Sequence, residues 1–198
     1  MEHAPRDRRV QRTRQALLDA FFKLILQRPY DDITVGDIVA RAGVGRSTLY
    51  EHFAGKNAIL AVSLGGPFAV LAQSLRQPDN TAALTRLLEH FWENRRLARG
   101  IFSGPTRAHA VSVLVALIEQ QLRADAGRRA VLLIPTRLAA IQLAEALFGP
   151  VAAWLTSDCA CTPARLARGL RQGALALRQT LCGIAPGRGA EPARPQVS

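Results

Sequence analysis

The sequence predicts an all-α protein of about nine helices, a three-helix N-terminal unit followed by a larger helical bundle. Two observations carry this. Ala and Leu dominate a chain of 198 residues in which aromatics are only 6%, and few β-branched, turn-punctuated stretches interrupt it. Apolar residues also recur at three- and four-residue spacing between Gly- and Pro-containing breaks. With 48% hydrophobic and 21% charged residues, there is enough apolar material for one medium domain, or for a small domain joined to a larger one.

The chain opens with a basic arm, residues 1–9. The first 14 residues hold Arg6, Arg8, Arg9, Arg12 and Arg14 against Glu2 and Asp7, which suits a solvated tail or a phosphate-touching extension. From Val10 the residues Leu17, Leu18, Phe21, Phe22, Ile25 and Leu26 form a helical stripe that Pro29 ends. Thr34 then reads as an N-cap with Asp37 three residues on. Val35, Ile38, Val39 and Ala42 give the next short helix its apolar face, and Gly43 supplies a left-handed turn. A second short helix stops before Gly55. Two short helices about a Gly-containing turn make a helix-turn-helix, and residues 10–60 form its domain.

Residues 61–182 are expected to form the larger bundle, with helices over 56–64, 67–76, 81–99, 106–124, 131–157 and 163–182. Gly65-Gly66-Pro67, Gln77-Pro78-Asp79-Asn80, Gly104-Pro105, Ala126-Gly127 and Thr162-Pro163 separate them. Gly149-Pro150 sits within an apolar run and predicts a kink. Residues 183–198, rich in Pro, Gly and Arg, are expected to be a disordered tail.

The chemistry concentrates in VGRSTLYEHFAGK, residues 44–56. At about 100° per residue, Leu49 and Phe53 fall within roughly 40° of each other and pin the helix to its neighbours. Ser47 and Glu51 lie on the far side with Thr48 further round, Arg46 in the first turn and Tyr50 on the flank. A major groove admits one helix, and short polar residues near its N-terminus read bases. Arg can engage guanine through two hydrogen bonds, Ser and Thr can meet bases or phosphates, and Tyr50 offers a hydroxyl to phosphate. Lys56, opening the next helix, adds a cation where the helix dipole favours an anion. The net charge of +11 agrees with an acidic partner, although 16 basic and eight acidic residues lie beyond residue 56, against ten and seven within 1–56.

The stretch ITVGDIVARAGVGRSTLYEHFAGKNAIL resembles the DNA-binding domain of the TetR family of bacterial transcriptional regulators. The resemblance rests on Thr34, Asp37-Ile38, Ala42-Gly43-Val44, Thr48-Leu49-Tyr50, His52-Phe53 and Lys56, within about residues 10–60. It implies a homodimer, a palindromic double-stranded DNA operator and an effector-binding, dimerising C-terminal domain. It also implies that Arg46, Ser47 and Thr48 face bases or nearby phosphates, while Thr34, Tyr50, His52 and Lys56 face mainly the DNA backbone. Two residues depart from the pattern. Gly36 stands where many relatives carry a basic or polar residue, and Glu51 is acidic on the DNA-facing side.

The function expected is a ligand-responsive regulator, a repressor released by a small-molecule effector that the sequence does not identify. The alternative is a helical small-molecule-binding protein whose helix-turn-helix is purely structural. Phe91, Trp92, Phe102, His109, Glu145 and Trp154 are candidate pocket residues. The last two strong helices are the candidate dimer seam, with Ala139, Ala140, Ala144, Ala174 and Ala176 permitting close approach. No nucleophile–base pair, metal-ligand spacing or phosphate loop points to an enzyme, a metal or a cofactor. Cys159 and Cys161 leave a redox or metal sensor as a further possibility, with small apolar fillers as the plainer reading. No run of 18 apolar residues and no signal segment is found, so a cytoplasmic protein without a membrane partner is expected.

Overall fold

The computed structural model describes residues 4–25, 27–76, 81–126, 130–157 and 161–184. The expected turn at 77–80, Gly127, Cys159 and residues 185–198 of the expected tail lie outside the described residues, while Gly183 and Ile184 of that tail stand in a short strand. Nine α-helices are found among those described, so the fold is all-α: α1 (Ala4–Ile25), α2 (Val35–Ala42), α3 (Arg46–His52), α4 (Lys56–Gln73), α5 (Thr81–Glu93), α6 (Arg95–Phe102), α7 (Thr106–Ala126), α8 (Thr136–Thr156) and α9 (Pro163–Leu181). A single 3-10 turn, Tyr30–Asp32, joins α1 to α2. The helix expected from Val10 begins at Ala4, so much of the basic arm is helical.

In the N-terminal unit Leu17, Phe21, Ile33, Ile38, Leu49 and Ile59 are buried together. In the bundle α7 packs on α4 and α8, α9 on α5 and α8, and α6 on α7 and α8. Its center is aromatic. Phe102 stacks on Phe148 with centroids 4.4 Å apart, and Phe68 meets both edge-on. Arg178 ties α9 to its neighbours, donating to the Leu75 carbonyl at 2.6 Å and to Asp125 at 2.8 Å.

Four expectations are corrected. The break at Gly65-Gly66-Pro67 is absent, and α4 runs through it. The two Gly and one Pro cost roughly 1 and 3 kcal/mol each in a helix interior. Leu60, Leu64, Phe68 and Leu71 are all buried on one stripe, and at about 1.5–3 kcal/mol each they outweigh that cost. The helix expected over 81–99 splits at Asn94, whose side-chain amide donates to the His90 carbonyl at 3.0 Å; side chains that bond back in this way compete with helix continuation.

Residues 131–157 are not one helix either. Ala130–Leu132 form β1, paired antiparallel with β2 (Cys182–Ile184), before Pro135 leads into α8. Aliphatic, partly β-branched Val-Leu-Leu-Ile suits a strand. Finally, α8 is by length and composition apolar enough to cross a membrane, contrary to the expectation that no such stretch exists. Half of its most apolar window is buried inside the protein. The helix continues through Gly149-Pro150. Ala139, Ala140, Ala144 and Ala174 are also buried within the protomer, and only Ala176 of the five is exposed.

Candidate nucleic-acid interface

The recognition unit is assembled by local rules. Thr34 caps α2: its hydroxyl accepts from the Asp37 N–H at 3.1 Å, and its own N–H donates to the Asp37 carboxylate at 2.8 Å. The hydroxyl also donates to that carboxylate at 2.6 Å, and Arg28 pairs with it at 2.7 Å. The Thr34 hydroxyl bond, then Arg28, hold the Asp37 carboxyl far below the usual carboxylate range. Thr34 therefore has both of its donors engaged inside the box. Gly43 takes φ 68° and ψ 34°, the left-handed conformation a Cβ disfavours, and its N–H closes α2 on the Val39 carbonyl.

Leu49 on α3 and Phe53, the extended residue that caps it, are buried at 0% and 4% exposure and form the anchor. The opposite face is open. Arg46, Ser47, Tyr50 and Glu51 are exposed, Tyr50 at 58%, and Thr48 and His52 are half-buried. Among the described residues, Arg46, Ser47, Thr48 and Tyr50 have no side-chain hydrogen-bond partner, so their polar groups point away from the fold with bonding capacity free. The Arg46 guanidinium lies over Gly36, where an added Cβ would sit 3.2 Å from Nη2.

Lys56 differs from expectation. Its ammonium turns inward, donating to the Ile33 carbonyl at 2.8 Å, the Tyr30 carbonyl at 2.9 Å and the Asp31 carbonyl at 3.4 Å. It also sits 4.3 Å above the Tyr30 ring. Tyr30 is buried, its hydroxyl donates to Asn57, and burial, with the nearby Asp31 charge, pushes its pKa up to about 12. Lys56 and Tyr30 thus brace the turn that delivers α2.

Arg14, the last of the five N-terminal arginines, lies 4.6 Å over the Phe53 ring and donates to the His52 carbonyl at 3.4 Å. A cation at the C-terminal end of α3 complements the helix dipole. Arg14, Arg28 and Tyr30 are the supporting residues that sequence reading missed. The cluster of Arg and the helix-ending Pro29 mark the region, but nothing in their spacing names the partners.

The six candidate pocket residues do not converge. Phe91 and Phe102 line a cleft beside α1. His109 lies against the Tyr30 ring at 5.2 Å, Glu145 pairs with Arg107 at 2.5 Å, and Trp92 packs on Trp154 at 4.8 Å. Trp154 also donates to the Cys161 carbonyl at 2.9 Å.

Residues 17–62 match the family described as bacterial regulatory proteins, tetR family. An uncharacterized HTH-type transcriptional regulator of Bacillus subtilis (strain 168), YxbF, is 42% identical over 55 residues, covering 27% of this chain and 14% of the relative. A second from the same organism, YdeS, is 29% identical over 86 residues, covering 43% and 40%. The matched stretches thus span less than half the length of these curated relatives. A TetR transcriptional regulator from Streptococcus agalactiae 2603V shares the fold with a TM-score of 0.56 at 24% identity, over 86% of this chain and 98% of that one. Another from Rhodococcus sp. RHA1 has a TM-score of 0.51 at 17% identity over the same shares.

Proposed function

We propose, from the match of residues 17–62 to the tetR family of bacterial regulatory proteins, that the chain is a ligand-responsive transcriptional repressor of the cytoplasm. The observation that carries the reading is α3 itself. Buried Leu49 and Phe53 hold a helix whose free polar groups, on Arg46, Ser47, Thr48 and Tyr50, all lie outside the core. In this reading Arg46 and Ser47 meet base edges, Thr48, Tyr50 and His52 meet phosphates or nearby bases, and Thr34 and Lys56 hold the frame.

The active form is a homodimer on a palindromic operator, since two copies of one short helix reach successive major grooves when a two-fold axis spaces them about 34–36 Å apart. Leu133, Leu138 and Ile141 are exposed at the start of α8, and an added Cβ at Gly169 or Gly173 of α9 would meet nothing within 4 Å. These positions, with Ala176, replace the buried alanines as the close-approach surface of the seam. An effector that favours a different spacing of the two reading heads releases the DNA.

Retention on duplex DNA tests the reading. The full chain should bind with an affinity that falls linearly in log salt, because phosphate contacts release counterions, and it should sediment as a dimer. Binding that is independent of salt and unaltered in a joint Arg46→Ala, Tyr50→Ala variant would refute it.

A further inference from the structure

We propose that the cleft between α1, α4, α5 and α6 binds an uncharged, mostly apolar small molecule with a single neutral hydrogen-bonding group. The proposal rests on the regulatory reading above and adds the ligand's chemistry and its place. The cleft encloses about 80 Å3 and is open at its mouth, room to seat a small apolar group with the rest of a ligand extending past the rim. Its floor is Phe21, Phe68 and Phe102, each at most 1% exposed. At the mouth, Phe22 and His90 are exposed and Ser63 is half-buried.

Charge decides the ligand class. Apart from His90 at the mouth, no lining residue is ionisable, so a carboxylate or ammonium seated on the aromatic floor would lose its hydration with no charged group beside it. Three groups at the rim can orient a polar atom. Pro67 lacks an N–H, so the Ser63 carbonyl, on the same wall, cannot receive its usual i+4 helical bond. The Asn94 amide lies 3.3 Å from His90 Nδ1. An amide N–H donating to Nδ1 leaves the ring proton on Nε2, free to donate, and the Asn94 carbonyl oxygen free to accept.

The place matters as much as the chemistry. Phe21, Phe22 and Ile25 belong to α1 of the reading unit, and the remaining walls belong to α4 and the bundle. An occupant touches both sides of the junction and bears directly on the helix against which α2 packs. A buried aromatic floor beneath a small polar rim suits a small molecule.

The test is a titration of the full chain with N-phenylnaphthylamine, a neutral dye that fluoresces in apolar sites. Saturable one-site binding is expected, with the anionic anilinonaphthalene sulfonate weaker by roughly tenfold or more. Ser63→Trp, which adds bulk at the mouth, should weaken the neutral dye by a similar factor while leaving the thermal melt unchanged. Leu97→Trp, on the α6 wall, gives an independent obstruction should the first variant disturb folding. No saturable binding, equal or tighter binding of the anion, or unchanged affinity in both variants would overturn the proposal. Labelled duplex DNA in the same titration separates the two readings. Dye binding that the variants abolish, with DNA still held at saturation, supports the cleft and counts against ligand-released regulation. DNA that is never held counts against the DNA reading alone, because the dye signal does not depend on it.

Discussion

Replacing Lys56 by Met separates a bracing role from a DNA contact. Met keeps the aliphatic stem and removes the ammonium. In the structure that ammonium makes two short bonds to backbone carbonyls, 2.8 Å to Ile33 and 2.9 Å to Tyr30, and lies 4.3 Å over the Tyr30 ring. A hydrogen bond from a charged group contributes roughly 1.5–3 kcal/mol, and a cation over a ring about 0.5–1 kcal/mol. The site is half-buried and Ile33 also donates its N–H to the Tyr30 carbonyl, so the lower ends apply, and the two hydrogen bonds alone set the loss at about 3 kcal/mol. For a chain of this size that lowers the melting temperature by roughly 6–12 °C. The assay pairs urea unfolding with DNA binding across a salt series below the melting range. If Lys56 braces the turn, the log–log salt slope stays that of wild type. A slope shallower by about one phosphate contact, with the unfolding midpoint unmoved, would refute the reasoning.

Other substitutions probe the remaining joints. Gly36→Ala should act with opposite signs: α2 gains up to about 1 kcal/mol of helix propensity, while the new methyl presses on the Arg46 guanidinium and changes base preference in a selection of bound sequences. For Asp37 the folded pKa is depressed, so its contribution to stability is present above the unfolded carboxylate value of about 4 and is lost as pH falls below it. Asp37→Asn should therefore flatten the acid limb of a plot of urea midpoint against pH. Tyr30 has its pKa raised to about 12, so its contribution persists below about pH 10 and is lost as pH rises through about 12. Tyr30→Phe should delete the late phase of the tyrosinate absorbance titration and lower stability at neutral pH by about 1 kcal/mol.

What could be read from sequence followed physical range. The capping box at Thr34 and Asp37 and the left-handed turn at Gly43 are local, and both stand in the structure. The Leu49–Phe53 anchor also stands, although Phe53 is buried from an extended cap position just past the end of α3 and not from a helical turn. Failures came where distant contacts override local preference. Gly65-Gly66-Pro67 signals a break, yet the aliphatic stripe around it finds a core and α4 continues. Asn94 splits α5 from α6 through one side-chain bond that no periodicity reveals. Lys56 illustrates the same limit at the site. Its position suits a phosphate, but three carbonyls from the turn before α2 converge on it only in the folded chain. The pocket residues show the same range effect: of the six candidates Phe91 and Phe102 line the cleft, whose other walls include α1, which the sequence assigns to the reading unit alone.

The central claim is that α3 reads DNA through the open face built on Leu49 and Phe53. The direct test is selection of bound sequences from a random duplex pool, run in parallel with wild type and with an Arg46→Ala, Tyr50→Phe variant. Wild type should return a palindromic consensus with two half-sites. The variant should lose preference at one base pair in each half, about 1–3 kcal/mol per contact, with the half-site spacing unchanged. Absence of any enriched sequence at modest salt, or an identical consensus from both proteins, would contradict the account.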